Sequence, residues 1–125
     1  MGMDFKYNGS CSYPRFDKEL TEIAHLFGIR EAKWVEEHRE EIKDNISYWF
    51  GFLSDSVETD KFLFPEGTPD VLKKFFSNPY DTFTNKETRE IWDEFQKHPK
   101  IEDISRQIWN ELRLCVGNLD CWEIL

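Results

Sequence analysis

REAKWVEEHREEIKDNISYWFGFL, residues 30–53, is the stretch around which this chain is organised. On a helical wheel of about 100° per residue, Trp34, Val35, His38, Ile42, Ile46, Trp49 and Leu53 share one side. Glu36, Glu37, Glu40 and Asp44 share the other, with Tyr48 at their edge. The i, i+4, i+8 recurrence predicts one amphipathic helix of about six turns. Its apolar face is rich in tryptophan and isoleucine, and its opposite face is a ladder of carboxylates.

The flanking sequence predicts further helices. Residues 14–27 begin with Pro14, suited to a first helical turn because its missing N–H has no partner there anyway. They carry the stripe Phe16, Leu20, Ile23, Ala24 and Phe27, and Gly28 is the expected stop. A link this short makes the first two helices neighbours. Beyond the central helix, residues 54–67 form a connection with an apolar middle, Phe62-Leu63-Phe64. This reads as an extended aromatic strap, able to pair with the N-terminal arm as a small two-stranded sheet.

Thr68-Pro69-Asp70 predicts a third helix with a threonine N-cap and proline at N1, presenting Val71, Leu72, Phe75 and Phe76. Thr84-Asn85-Lys86-Glu87 is a capping box opening a fourth, with Ile91, Trp92 and Phe95. A fifth runs from about Lys100 to Gly117 on the stripe Ile101, Ile104, Ile108, Leu112 and Cys115. The tail, residues 118–125, holds Leu119, Trp122, Ile124 and Leu125 and is expected to dock on the core or on a partner. The expectation is an all-α single domain over residues 1–125: an irregular bundle of about five helices with a strap, an N-terminal arm (1–13) and a docked tail.

Composition narrows the function classes. At 125 residues the chain can bury a real core without disulfides or a metal. Aromatics are 16% of it, with eleven Phe and five Trp, more than a core this small requires; they read first as an aromatic-rich core and, alternatively, in part as surface anchors for a partner. The net charge of −9 is uneven: residues 17–60 hold 12 acidic against 5 basic residues, the rest 13 against 11. Such a field disfavours direct binding to nucleic acid or anionic lipid and favours a basic partner. Residues 1–7 carry no hydrophobic run of a signal peptide, and no apolar run approaches a membrane span. A cytoplasmic protein with three reduced cysteines, Cys11, Cys115 and Cys121, is expected.

No motif specifies a reaction. Cys11 precedes a helix and has Arg15 nearby, but no oriented base is tied to it by spacing, and a phosphatase-type loop needs a longer interval. Glu22 and His25 have the spacing of half a carboxylate metal site, and a di-iron bundle needs two such pairs. His38, within an apolar face, reads as hydrogen-bonded structure. Cys115 and Cys121 lack the partners of a zinc site. No phosphate-binding glycine loop or nucleophile elbow occurs. No catalytic residue, cofactor or metal is therefore expected. The expected binding residues are Glu36, Glu37, Glu40, Asp44 and Tyr48. Carboxylates about 5–6 Å apart along a helix complement a cationic site, such as the cleft of a nuclease toxin. The leading expectation is an inhibitor or immunity-type protein acting by occlusion. The alternatives are a DNA-mimic inhibitor, a structural subunit docking through tail and strap, and a small helical enzyme using carboxylate or thiol chemistry.

Overall fold

The computed structural model describes residues 2–31 and 62–125. The described residues are mostly helical, with two small two-stranded antiparallel sheets among them. In order these are β1 (Gly2–Asp4), β2 (Ser10–Ser12), α1 (Tyr13–Leu26), β3 (Arg30–Glu31), β4 (Phe62–Leu63), α2 (Asp70–Ser77), α3 (Asn85–Phe95), α4 (Lys100–Ile104) and α5 (Arg106–Gly117). The described residues fall into two compact units, one of residues 2–12 and 80–125, the other of residues 13–31 and 62–79. No described helix is long and apolar enough to cross a membrane.

In the second unit, α1 buries Phe16, Leu20, Ile23 and Ala24 at helical spacing. It ends where the sequence expects. Gly28 takes φ 77°, its N–H donates to His25 O (3.0 Å), and the Ile29 N–H donates to Ala24 O (3.1 Å). Those two bonds are the paired closure of a Schellman motif, and the apolar residues that accompany it, Ala24 and Ile29, are both buried. The helix expected from Arg30 does not begin there. Arg30 and Glu31 are strand, paired antiparallel to Leu63 and Phe62. The Arg30 guanidinium donates to the His25 and Ile29 carbonyls, tying the chain back to the end of α1. The described part of the strap is thus extended at Phe62–Leu63, and there it pairs with β3 and not with the N-terminal arm. Leu63, on that strand, is exposed.

Helix α2 starts two residues after the expected cap. The Thr68 hydroxyl donates to Pro65 O (2.7 Å), closing the preceding turn, and no side chain caps the helix, whose N-cap is Pro69. The helix starts after Pro69 with Asp70 in its first turn, where a carboxylate suits the helix dipole. Val71, Leu72, Phe75 and Phe76 are all buried, and Phe76 meets Phe75 edge-on at 5.4 Å and Phe27 at 5.9 Å.

In the first unit, the capping box is present in full. Glu87 N–H donates to Thr84 Oγ1 (3.1 Å), and Thr84 N–H donates to Glu87 Oε1 (3.0 Å). Ile91, Trp92 and Phe95 of α3 are buried, and α3 packs on α5. Trp92 meets Trp109 of α5 edge-on, their rings 4.7 Å apart. The single helix expected from Lys100 to Gly117 is two. Ser105, at φ −148° and ψ 92°, breaks it, and its hydroxyl accepts the Ile108 N–H (3.2 Å) as the N-cap of α5. A serine side chain offers the backbone a cap in place of the helical ladder. Ile101, Ile108, Leu112 and Cys115 are still all buried. All three cysteines are free thiols.

Candidate functional site

Glu36, Glu37, Glu40, Asp44 and Tyr48 lie outside the described residues, as do His38 and all of the expected central helix beyond residue 31. Of the other groups weighed from sequence, Cys11 is buried in β2 opposite Met3, and Arg15 pairs with Glu19. Among the described residues no group of three His, Cys, Asp or Glu side chains is placed to hold a metal ion.

Polar side chains do converge on the loop of the β1–β2 hairpin. Met3 and Cys11 pair across it, and the Phe5 N–H donates to Gly9 O (2.7 Å). Gly9 takes φ 72°, a conformation glycine adopts without strain. This turn points the N–H groups of Lys6 and Tyr7 at α5, where both donate to the Glu111 carboxylate at 3.0 Å. Asn8 Nδ2 donates to the same carboxylate (3.1 Å), as does the Cys115 thiol at 3.8 Å. One turn earlier, Gln107 Nε2 donates to the carbonyls of Asn8 (2.7 Å) and Ser10 (2.9 Å). Glu111 is 1% exposed. Gln107, Glu111 and Cys115 stand one turn apart along α5, so one helix face supplies both acceptor and donor to the hairpin.

The tail closes the other side. Lys6 Nζ donates to Asp120 Oδ1 (3.1 Å), Cys121 O (3.2 Å) and Cys121 Sγ (3.4 Å), and pairs with Glu123 at 3.4 Å. The Tyr7 hydroxyl donates to Asp120 Oδ2 (2.7 Å). Trp122 enters the core, with its N–H donating to Thr88 Oγ1 (2.9 Å) and its carbonyl accepting from Phe83 (3.0 Å). Leu125 N–H donates to Asp4 O (2.9 Å). Of the tail's large apolar residues, Trp122 is buried while Leu119 and Leu125 are exposed.

This charge arrangement shifts several pKa values. The Tyr7 hydroxyl, the Cys121 N–H and the Lys6 ammonium hold the Asp120 carboxyl well below the usual carboxylate range. The bond to Asp120 raises the Tyr7 phenol to about 12. Burial opposes the Lys6 ammonium, but its bonds to Asp120 and Cys121 prevail and raise its pKa. Burial, with Glu111 next to it, pushes the Cys115 thiol up to about 12, which leaves it a protonated and poor nucleophile. The cluster is a clasp, in which each carboxylate is engaged by donors of its own chain.

Comparison with models of known protein families, with curated proteins and with solved structures finds no match.

The clasp has a pH signature. Tyr7 titrates above its unfolded value of about 10, so its contribution to stability is present below that pH and is lost as pH rises through about 12. Asp120 is shifted down, so its contribution is present above about pH 4 and is lost in acid. In an alkaline absorbance titration, one of the four tyrosines should ionise late. It should return toward about 10 in Asp120→Asn. Identical titrations of the two proteins would dissociate Tyr7 from Asp120.

Sequence reasoning did not single out Lys6, Tyr7, Glu111 or Asp120. Glu111 left a trace, as a carboxylate three residues after Ile108 and four before Cys115 within an apolar stripe. Asp120 left none.

Proposed function

We propose that this protein is a small acidic binding protein that neutralises a basic partner, such as a nuclease toxin, by occlusion. The observation that carries this reading is the charge asymmetry. Residues 17–60 hold 12 acidic against 5 basic residues, and Glu36, Glu37, Glu40 and Asp44 share one side of the helical wheel over residues 30–53. Opposed fields of this kind accelerate encounter, and Tyr48 at the edge of the row supplies an aromatic anchor. The clasp fits a binding role, since its carboxylates and Lys6 are occupied with one another.

The test is capture on the immobilised protein with elution along a salt gradient, followed by titration of the retained partner against a Glu37/Glu40/Asp44→Lys variant. One basic protein retained stoichiometrically, with affinity lost about a hundredfold in the variant while circular dichroism is unchanged, is the expected result. Unchanged affinity would remove the acidic row from the interface.

A further inference from the structure

Helices α1 and α5 end in the same turn with different residues. In α1 the left-handed position is Gly28 (φ 77°). In α5 it is Leu119 (φ 54°), with its N–H donating to Val116 O (3.2 Å) and the Asp120 N–H donating to Cys115 O (2.8 Å). Among the described residues Leu119 is the one non-glycine at positive φ. Glycine makes this turn without the clash that a Cβ brings to left-handed backbone. The leucine side chain does not compensate by packing, because it is 74% exposed. The fold thus carries backbone strain to hold an apolar side chain in water.

Its surroundings are pre-organised. Asp120, the next residue, accepts the Tyr7 hydroxyl. Tyr7 is 39% exposed, and its N–H is fixed on buried Glu111. A leucine on a closed turn, one residue before the carboxylate that holds the Tyr7 hydroxyl, loses little entropy on binding, and so does a tyrosine held at both ends. Next to them two carboxylates, Asp120 and Glu123, share one cation, Lys6. That sign disfavours an acidic segment, an anionic lipid surface, or a second copy of a chain with net charge −9.

We propose that Leu119 and Tyr7 anchor a docking surface for a basic protein segment, one that presents a bulky apolar side chain flanked by Lys or Arg. The surface rests on the basic-partner reading and adds to it residues other than those of the acidic row.

The probe is a displayed library of random peptides selected on the full chain, with an enriched peptide then titrated against variants. Enriched sequences should combine Lys or Arg with a large apolar residue. Leu119→Gly should weaken binding about tenfold or more while its melting temperature holds or rises, since glycine relieves the turn. Enrichment of nothing, enrichment of peptides without basic residues, equal binding to Leu119→Gly, or a lowered melting temperature would each overturn the anchor. Peptides lost on Glu37/Glu40/Asp44→Lys but kept on Leu119→Gly would uphold the acidic row and overturn the anchor. Peptides lost on Leu119→Gly but kept on the triple variant would uphold the anchor alone.

Discussion

Trp122→Ala should destabilise the protein by about 3–5 kcal/mol, the range for truncating a buried large aromatic residue. Trp122 is 0% exposed and meets Phe5 edge-on, with ring centroids 5.8 Å apart and planes at 68°. Its loss removes the apolar burial of an indole and leaves a void beside Phe5 that the surroundings refill only in part. It also removes the weight that holds the backbone bonds to Thr88 and Phe83 in place. Asn85 Nδ2 holds Asp120 O at 2.9 Å, so the tail would keep a contact without being seated. Against a total stability of about 5–15 kcal/mol, the expected loss is a large fraction. Urea unfolding followed by circular dichroism measures it, with the midpoint shifting and the slope unchanged. A cost below about 1 kcal/mol would mean that the slot collapses freely around alanine, contrary to a close-packed core.

Glu111→Ala should cost about 3 kcal/mol or more, because it orphans several donors at once. The Lys6 and Tyr7 N–H groups and Asn8 Nδ2 all end on this one carboxylate. Glu111→Gln keeps the shape but turns an amide N–H toward donors, so it should be destabilising as well, by about 1–3 kcal/mol. Hydrogen exchange separates this account from a general loss of packing. In the native protein the Lys6 and Tyr7 amides should be protected. In Glu111→Gln they should exchange fast while amides of α3 stay slow, since local opening need not unfold the rest. Uniform acceleration at every site would show that Glu111 supports the whole unit and not the hairpin loop in particular.

Elements carried by short-range signals were legible. Thr84 and Glu87 are three residues apart, and their capping box depends on little beyond those residues and the first turn of α3. Gly28 and Ile29 close α1 with bonds to residues three and five positions earlier, respectively. The apolar stripes of α2 and α3 and those on either side of Ser105 each follow a 3.6-residue period, which a sequence displays directly. Ser105 shows the limit of such reading. Its stripe continues through the break, so periodicity alone predicts one helix, and a single hydroxyl decides that there are two. Thr68 errs the other way: a hydroxyl can accept a helix N–H as a cap or donate to a nearby carbonyl, and here it donates to Pro65 O and caps nothing.

The chain by itself determined the predominance of helix and most of the helix ends among the described residues, and the acidity concentrated in residues 17–60. These are local or additive properties, set by neighbours in the chain and by counting charges. The tertiary structure alone decided what the polar residues near the two ends do. Glu111 meets donors 103–105 positions away, and Lys6 and Tyr7 reach Asp120 across 114 and 113 positions. No periodicity connects such pairs, and each exists only because folding carries the hairpin to the α5 face. The same holds for Leu119. Its sequence context reads as one more apolar residue of a docked tail, and only the closed turn after Gly117 sets it left-handed and out in solvent.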